Sequence, residues 1–249
     1  MTAVRYASHP DGVGEITLDR PARHNAVDVA LVEGLHDALA AAATDGARAL
    51  LLRGAGPSFC SGHDLEAAAP ASTAELRRHV ERLQDVSRIL RATVPSVAAV
   101  HGHAIGAGCE LALSCDLVVA ASDARFRMPE VPLGLAIGGG SSALLVHAVG
   151  PLRARELVLL GEPFDAARAH ALGLVNAVVE PPELPARARA LAATLAAQPP
   201  RALAAAKDVL HAVADDALER AYALETDAMV ATNDSDEAAA AAAAFLGRR

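Results

Sequence analysis

The sequence predicts an α/β protein in which strands alternate with helices before the chain becomes entirely helical. Through the first half, short apolar runs of strand length alternate with amphipathic stretches of helical period. The last part of the chain carries only alanine-rich helical patterns. With 249 residues, of which 53% are hydrophobic and 21% charged, the chain can bury a sizeable core and is not disordered.

Four strands are expected in the first half, and a helical pattern follows each of the first three. The strands are predicted at residues 13–19, 47–53, 96–100 and 116–120. The helices are predicted to open at 25–28 and close at 45–46, to cover 75–91, and to run from about 107 to 115. This alternation favours parallel pairing of the strands, with the helices covering the sheet.

The second half is predicted to be mostly helical. Helices are expected at 141–149, 152–160, 165–172 and 183–197, with one short strand at 174–179. The Pro199-Pro200 pair is a plausible boundary because proline interrupts regular structure. We therefore expect a core of residues 1–198 and a helical region of residues 199–249.

Composition excludes several classes of protein. The formal net charge is −8 and the pI about 5.6, which disfavours nucleic-acid binding. Three cysteines without a C-x-x-C pair disfavour a zinc cage or a disulfide framework, and no third ligand accompanies the scattered histidines, so no metal site is expected. The longest apolar stretch is interrupted by histidines and acids, and the N-terminus has no signal-peptide pattern. We expect a cytoplasmic protein that does not insert into membranes.

Three segments contain residue types that suit chemistry. Residues 59–65 form a turn around Gly62, for which the alternative is an ordinary strand-to-helix connection. Residues 102–111 are rich in glycine and open a helix, whose first N–H groups lack internal partners and can hold an anion. Glu110 in that first turn, like Glu130 between two prolines in segment 128–134, is a candidate for proton transfer. Taken singly, each glutamate is also explained as a helix-dipole partner or a surface residue.

Taken together, these segments resemble the crotonase superfamily, the enoyl-CoA hydratases and isomerases. The resemblance covers essentially the whole chain, and its specificity lies in the order and spacing of the motifs. The matching segments are Arg20-Pro21 with Asn25-Ala26, F-x-x-G-x-D at 59–64, G-x-x-x-G-x-G-x-E-L at 102–111 followed by Cys115-Asp116, F-x-x-P-E-x-x-x-G at 126–134, E-L-x-L-x-G at 156–161 and G-L-V at 173–175.

The resemblance implies a fold and an assembly. The fold would be a crotonase-like spiral of ββα turns, followed by a C-terminal helical region that forms homotrimers, often paired into hexamers. It also implies a site. The backbone N–H groups of His63 and Ala107 would form an oxyanion hole, and Glu110 and Glu130, 20 residues apart as in the family, would be the catalytic pair. The residues that would bind the acyl-CoA substrate are Arg23, His24, Ala26, Ser61, His63, Asp64, Leu65, Ile105, Gly106 and Ala107.

The implied reaction is the syn addition of water to a trans-2-enoyl-CoA, a step of fatty acid metabolism that gives a 3-hydroxyacyl-CoA. One glutamate, Glu110, would act as base and Glu130 would protonate C2. No separate cofactor would be needed, because CoA is part of the substrate. The alternatives are an enoyl-CoA isomerase or another crotonase reaction on an unusual acyl-CoA, and, from a different class, a non-catalytic scaffold or RNA-binding member.

The chain departs from the family pattern at three places. Glu66 stands where a basic residue is common, which leaves Arg23, Arg248 and Arg249 as candidates to offset the charge of CoA. Ala107 replaces a common glycine and Ile137 a common proline. The last two put the acyl chain length in question more than the class of reaction.

Overall fold

The computed structural model describes residues 2–67, 72–212, 215–233 and 235–247. Within them, strands and helices alternate up to the strand at Ala177–Val179 and only helices follow. The predicted α/β class with a helical C-terminal region is therefore confirmed. None of the helices in these ranges is both long and apolar enough to cross a membrane.

The larger sheet is the centre of the fold. Its strands are β1 (Val4–Ser8), β2 (Val13–Leu18), β3 (Ala49–Gly54), β4 (Ser96–Val100), β6 (Leu117–Ala121) and β9 (Ala177–Val179), in the order β1-β2-β3-β4-β6-β9. Every neighbouring pair is parallel except β1 with β2, which is antiparallel. The predicted parallel pairing is thus confirmed for the strands that were expected.

A smaller sheet of three strands was not predicted from the sequence. It consists of β5 (His103–Ile105), β7 (Arg125–Arg127) and β8 (Phe164–Asp165) in the order β5-β7-β8. These strands of two or three residues are too short to show a period in the sequence. Each of β4 and β6 continues into the smaller sheet as β5 and β7, so the chain makes ββα turns, as the family resemblance implies.

The helices cover both faces of the larger sheet. They are α1 (Val29–Thr44), α2 (Thr73–Ala92), α3 (Ala107–Leu113), α4 (Ser141–Leu160), α5 (Ala166–Ala171), α6 (Leu184–Ala196), α7 (Pro200–Ala212), α8 (Asp215–Asn233) and α9 (Asp236–Leu246). Single 3-10 turns occupy Pro21–Arg23, Val131–Leu133 and Pro181–Glu183. The two helices predicted between 141 and 160 form one element with a break at Gly150, whose φ of 77° and ψ of 161° are not helical.

Strand β3 shows why the larger sheet needs cover on both sides. Leu50 and Leu52 point into one core, which α1 and α2 complete, whereas Ala49 and Leu51 point into a second core beneath α6. A strand buried on both faces reads as a continuous apolar run, which is how the sequence identified it. Strand β1 was not predicted, because it is an edge strand whose pattern mixes buried and exposed residues.

The C-terminal helices are anchored to the core by a buried lysine. Lys207 on α7 is 7% exposed, and its Nζ donates to Asp116 Oδ2 at 2.7 Å and to the backbone oxygens of Leu90 and Val94 at 3.0 and 3.2 Å. These carbonyls lie at and just beyond the end of α2, where a cation is favourable. One side chain thus joins α7 to α2 and to the start of β6. The division at residue 198 stays a prediction.

We expect Lys207→Met to lower the free energy of unfolding by roughly 3 kcal/mol, because it removes one partner of a buried ion pair and leaves carbonyls unpaired. Urea unfolding measures this. Arg77→Met is the matched control, since Arg77 and Asp227 form an ion pair whose side chains are 42% and 69% exposed. The control should cost at most about 1 kcal/mol. Equal losses for the two variants would contradict the role of Lys207.

Candidate active site

The smaller sheet places two predicted segments side by side. Cys60 forms a parallel bridge with Ala104, in which Cys60 N donates to His103 O at 2.9 Å and Ile105 N donates to Cys60 O at 3.0 Å. Gly108 makes this approach possible, because a Cβ there would lie 2.3 Å from Cys60 O. Segments 59–65 and 102–111 are therefore adjacent at the end of this sheet.

Two backbone N–H groups are available where the segments meet. Beside His63, Val27 N donates to Gly62 O at 2.7 Å and Asp64 N to Val27 O at 2.9 Å, a pattern that bypasses the N–H of His63. Ala107 is the first residue of α3, so its N–H has no partner within the helix. A Cβ placed on Gly62 would lie 3.9 Å from Ala107 N, which shows how closely the two segments approach. The pair can stabilise a developing negative charge.

The two predicted glutamates are both buried at this place. Glu110 is 4% exposed and Glu130 is 8% exposed. Glu110 Oε1 accepts a hydrogen bond from Gly138 N at 3.2 Å. Glu130 Oε1 lies over Gly106, where a Cβ would come within 2.7 Å of it. Glu130 Oε2 has no hydrogen-bond partner in the described part of the chain, and a buried unpaired oxygen of this kind is a site for a water or a substrate group.

Burial raises the pKa of both carboxyl groups. For Glu110, desolvation is the largest cause, followed by the negative charges of Glu130 and Glu225, and the hydrogen bond from Gly138 opposes them. For Glu130, desolvation raises the pKa against the opposing charge of Arg127. Two interacting carboxyl groups lose their protons in steps that belong to the pair. Near neutral pH one of them can hold a proton while the other accepts one.

One cleft of about 530 Å³ collects the predicted binding residues. Its lining includes every substrate-binding residue predicted above, namely Arg23, His24, Ala26, Ser61, His63, Asp64, Leu65, Ile105, Gly106 and Ala107. Glu130 also lines the cleft, whereas Glu110 lies behind this lining, against Gly138 and Gly139. The structure thus brings together residues that are more than 100 positions apart in the chain.

The charges at the cleft entrance differ from the expectation. Arg23 forms ion pairs with Asp64, at 2.7 Å, and with Glu66, so its positive charge is already shared between two carboxylates. Burial raises the pKa of Asp64, but the hydrogen bonds from Arg23 and Arg20 outweigh it and hold that pKa below its usual value. Arg248 and Arg249, the other candidates, lie outside the described residues.

Sequence reasoning missed several residues that line the cleft. Arg125 and Arg127 on β7 donate only to backbone oxygens in the hydrogen bonds that the described residues show, and neither forms an ion pair there. The alternation Arg-Phe-Arg is the signal in the sequence that could have identified these two arginines, because Phe126 is buried and its neighbours point to the other face. The apolar lining includes Leu133, Leu135, Phe245 and Leu246 but not Ile137.

The His63 side chain packs toward helix α2. Its ring centroid lies 5.9 Å from that of His79 on α2. Burial, together with the charge of His79, lowers the pKa of the His63 imidazole to about 4. The imidazole is therefore neutral at physiological pH. His79 on α2 thus packs against the site. The residues that the structure describes contain no cluster of three or more potential metal ligands.

Known proteins share both the sequence and the fold. A family model described as enoyl-CoA hydratase/isomerase matches residues 8–249. The 2,3-dehydroadipyl-CoA hydratase of Escherichia coli (strain K12) is 38% identical over 238 residues, covering 94% of this chain and 92% of the relative. The crotonyl-CoA hydratase of Syntrophomonas wolfei is 34% identical, covering 93% of this chain and 90% of the relative. A crystal structure of an enoyl-CoA hydratase from Mycobacterium avium subsp. paratuberculosis K-10 superposes with a TM-score of 0.90 at 33% identity, covering 99% of this chain and 96% of that one.

The fold, the paired glutamates and these matches agree. The chain is a member of the enoyl-CoA hydratase/isomerase family, which is the crotonase superfamily. It is an enzyme of that family.

Proposed function

We propose that the chain is an enoyl-CoA hydratase that adds water syn across the double bond of a trans-2-enoyl-CoA and forms a 3-hydroxyacyl-CoA. The observation that carries this proposal is the buried pair Glu110 and Glu130 beside the N–H groups of His63 and Ala107. An isomerase typically manages with one carboxylate, so the pair favours hydration. Family membership alone does not choose between these reactions.

The two carboxyl groups divide the proton transfers. Both carboxyl groups bind the same water molecule. The oxygen of this water attacks C3 of the substrate, while the ionised Glu110 takes one of the water's protons. Glu130, protonated, donates a proton to C2. The product gains the elements of water, and the proton passes from Glu110 back to Glu130 before the next cycle. The raised pKa of each group suits this exchange, because a carboxyl whose pKa lies above its ordinary value keeps a proton available to donate and is a stronger base once ionised.

The backbone donors stabilise the charge that forms meanwhile. Attack at C3 pushes electrons onto the thioester oxygen, which becomes enolate-like. The N–H groups of His63 and Ala107 donate to that oxygen, and the positive end of α3 adds to their effect. The His63 imidazole takes no part in this step. No metal or redox cofactor enters the mechanism, since CoA comes with the substrate.

The structure suggests which residues hold the CoA moiety. Arg125 and Arg127 line the cleft and form no ion pair in the described ranges, although the charge of Arg127 acts on Glu130, whereas Arg23 is paired with Asp64 and Glu66. We assign the phosphates to the first two arginines. The acyl chain would contact the apolar lining, which includes Leu133, Leu135 and Phe245. Because one relative is named for an adipyl substrate, acyl chains that end in a carboxylate belong in the substrate tests.

We expect Glu110→Gln and Glu130→Gln each to lower kcat by roughly 10²–10⁴-fold while the fold persists, because each removes a positioned proton carrier. The assay follows the loss of conjugated-thioester absorbance across enoyl-CoAs of increasing length and 2,3-dehydroadipyl-CoA. Exposed Glu162→Gln is the control.

The double variant should lose less activity than the product of the losses of the two single variants, since both groups act on one water. Near-normal hydration by either single variant would overturn the assignment. An effect at Glu110 alone would favour the isomerase.

The oxyanion hole is tested by a proline. Ala107→Pro removes one N–H at the first helical position, where proline is tolerated, and should cost roughly 10²–10³-fold in kcat, about 3 kcal/mol. Ala107→Gly keeps the N–H and should be nearly neutral, and so should His63→Ala. If His63→Ala abolishes hydration while a folded Ala107→Pro, checked by circular dichroism, remains active, the imidazole is the catalytic group and the backbone assignment is wrong.

We also propose a homotrimer or hexamer in the cytoplasm. Large apolar side chains are exposed on the later helices, including Leu152 at 76% on α4 and Leu210 at 72% on α7. Sedimentation analysis should give the mass of a trimer or its double, and Leu210→Glu should lower it by placing a charge in the interface. Val29→Glu is the matched control, because Val29 is 62% exposed but lies on α1. A monomer for the unmodified protein would refute the assembly.

A further inference from the structure

Helix α8 lies alongside the loop of residues 136–142, which covers Glu110. Along residues 136–142, Ala136 N donates to Thr232 Oγ1 at 3.0 Å. A Cβ on Gly138 would lie 2.7 Å from Met229 Sδ, and a Cβ on Gly140 would lie 2.6 Å from Leu218 Cδ1. The contacts recur at every turn or so of α8. The C-terminal region therefore shapes this loop directly.

Glu225 is the polar centre of that contact. It lies on α8 and is 4% exposed. Its Oε2 accepts from Gly140 N at 2.7 Å, and its Oε1 accepts from Ser142 N at 2.9 Å and from Ser142 Oγ at 2.5 Å. Gly140 is the N-cap of α4 and has no side chain to cap the helix itself. A carboxylate from another helix supplies the cap instead.

The opposite side of the same loop holds Glu110. Gly138 N donates to Glu110 Oε1 at 3.2 Å. Gly139 has a φ of 64°, and a Cβ there would lie 2.5 Å from Glu110 Oε2. The loop is thus enclosed between Glu110 and α8, and a shift of Gly140 would be transmitted over two residues to the N–H that orients the carboxylate.

We propose that Glu225 is a positioning residue for Glu110: it clamps Gly140 and Ser142, so that Gly138 holds the Glu110 carboxylate toward the water. The proposal rests on the proposed function, in which Glu110 is the base. It assigns to the C-terminal region a part in the reaction itself.

The charge of Glu225 also bears on Glu110. The negative charges of Glu130 and Glu225 act on Glu110 across the site, and the charge of Glu110 in turn raises the pKa of the thiols of Cys60 and Cys109. Burial raises the pKa of Cys60 to about 12 and that of Cys109 still more, so both thiols are neutral. The negative charges of Glu130 and Glu225 raise the pKa of Glu110, and the repulsion by Glu225 has a larger effect on it than the Gly138 hydrogen bond. Replacing Glu225 by a neutral residue should lower that pKa.

The test compares two glutamates on the same helix. Glu225→Gln removes the charge and one acceptor of the clamp, whereas Glu219→Gln makes the same change at an exposed residue that pairs with Arg88. We expect Glu225→Gln to lower kcat roughly 10- to 10²-fold, the scale of a misplaced reacting group, with little change in KM. The acid limb of kcat/KM should move to lower pH, because the base ionises more readily. Glu219→Gln should retain the kcat and the pH profile of the unmodified protein.

A second readout does not depend on activity. The carboxyl ¹³C resonance of Glu110, assigned by its loss in Glu110→Gln, should titrate at lower pH in Glu225→Gln than in the unmodified protein. If the unmodified protein does not hydrate enoyl-CoAs, the proposed function fails and this titration alone decides the inference. If Glu225→Gln does not fold, Ser142→Ala replaces it and should lower kcat several-fold by weakening the clamp. A kcat and a Glu110 titration equal to those of Glu219→Gln would overturn the proposal.

Discussion

The close approach of segment 60–63 to segment 104–108 is the constraint on which the rest of the site depends. Cys60 pairs with Ala104 like a short additional strand, and Gly108 lets the start of α3 lie against Cys60 O. Any side chain at 108 would separate these elements. Because they touch, two N–H groups from distant parts of the chain lie beside one another, and Glu110 lies one turn into α3, directly behind the lining of the cleft. Backbone geometry thus comes first and the side-chain chemistry follows from it.

The buried carboxyl pair is costly to the fold. A carboxyl whose pKa is higher in the folded chain than in the unfolded one holds its proton longer when folded. The contribution of such a carboxyl to stability is therefore greatest below the ordinary carboxyl pKa and declines as the pH rises through the raised value. The pKa values of Glu110 and Glu130 are both raised. The pair is therefore least favourable to folding at the pH where the enzyme would work. The surrounding core, with its two layers around β3, offsets that cost.

The sequence could predict residues whose role depends on local pattern. Glu110 and Glu130 stand in motifs whose glycines and prolines constrain the backbone, and the strands buried on both faces are continuous apolar runs. Glu225 is different, because it occupies an ordinary position in a polar helix and acquires its role only when α8 packs on the loop before α4. Likewise β5, β7 and β8 have two or three residues each, so their pairing is a property of tertiary structure. Contacts between residues far apart in the sequence cannot be predicted from local sequence patterns.

Contacts of this kind also connect the helices beyond residue 198 to the earlier part of the chain. The sequence suggests a core followed by a helical region concerned with assembly, yet three of its helices reach into the core. Lys207 on α7 binds Asp116, which ties the helix to the larger sheet. Phe245 and Leu246 on α9 line the cleft, and Glu225 on α8 caps α4 beside Glu110. The later helices therefore form part of the cleft and of the Glu110 environment, and whatever fixes their position acts on the site as well.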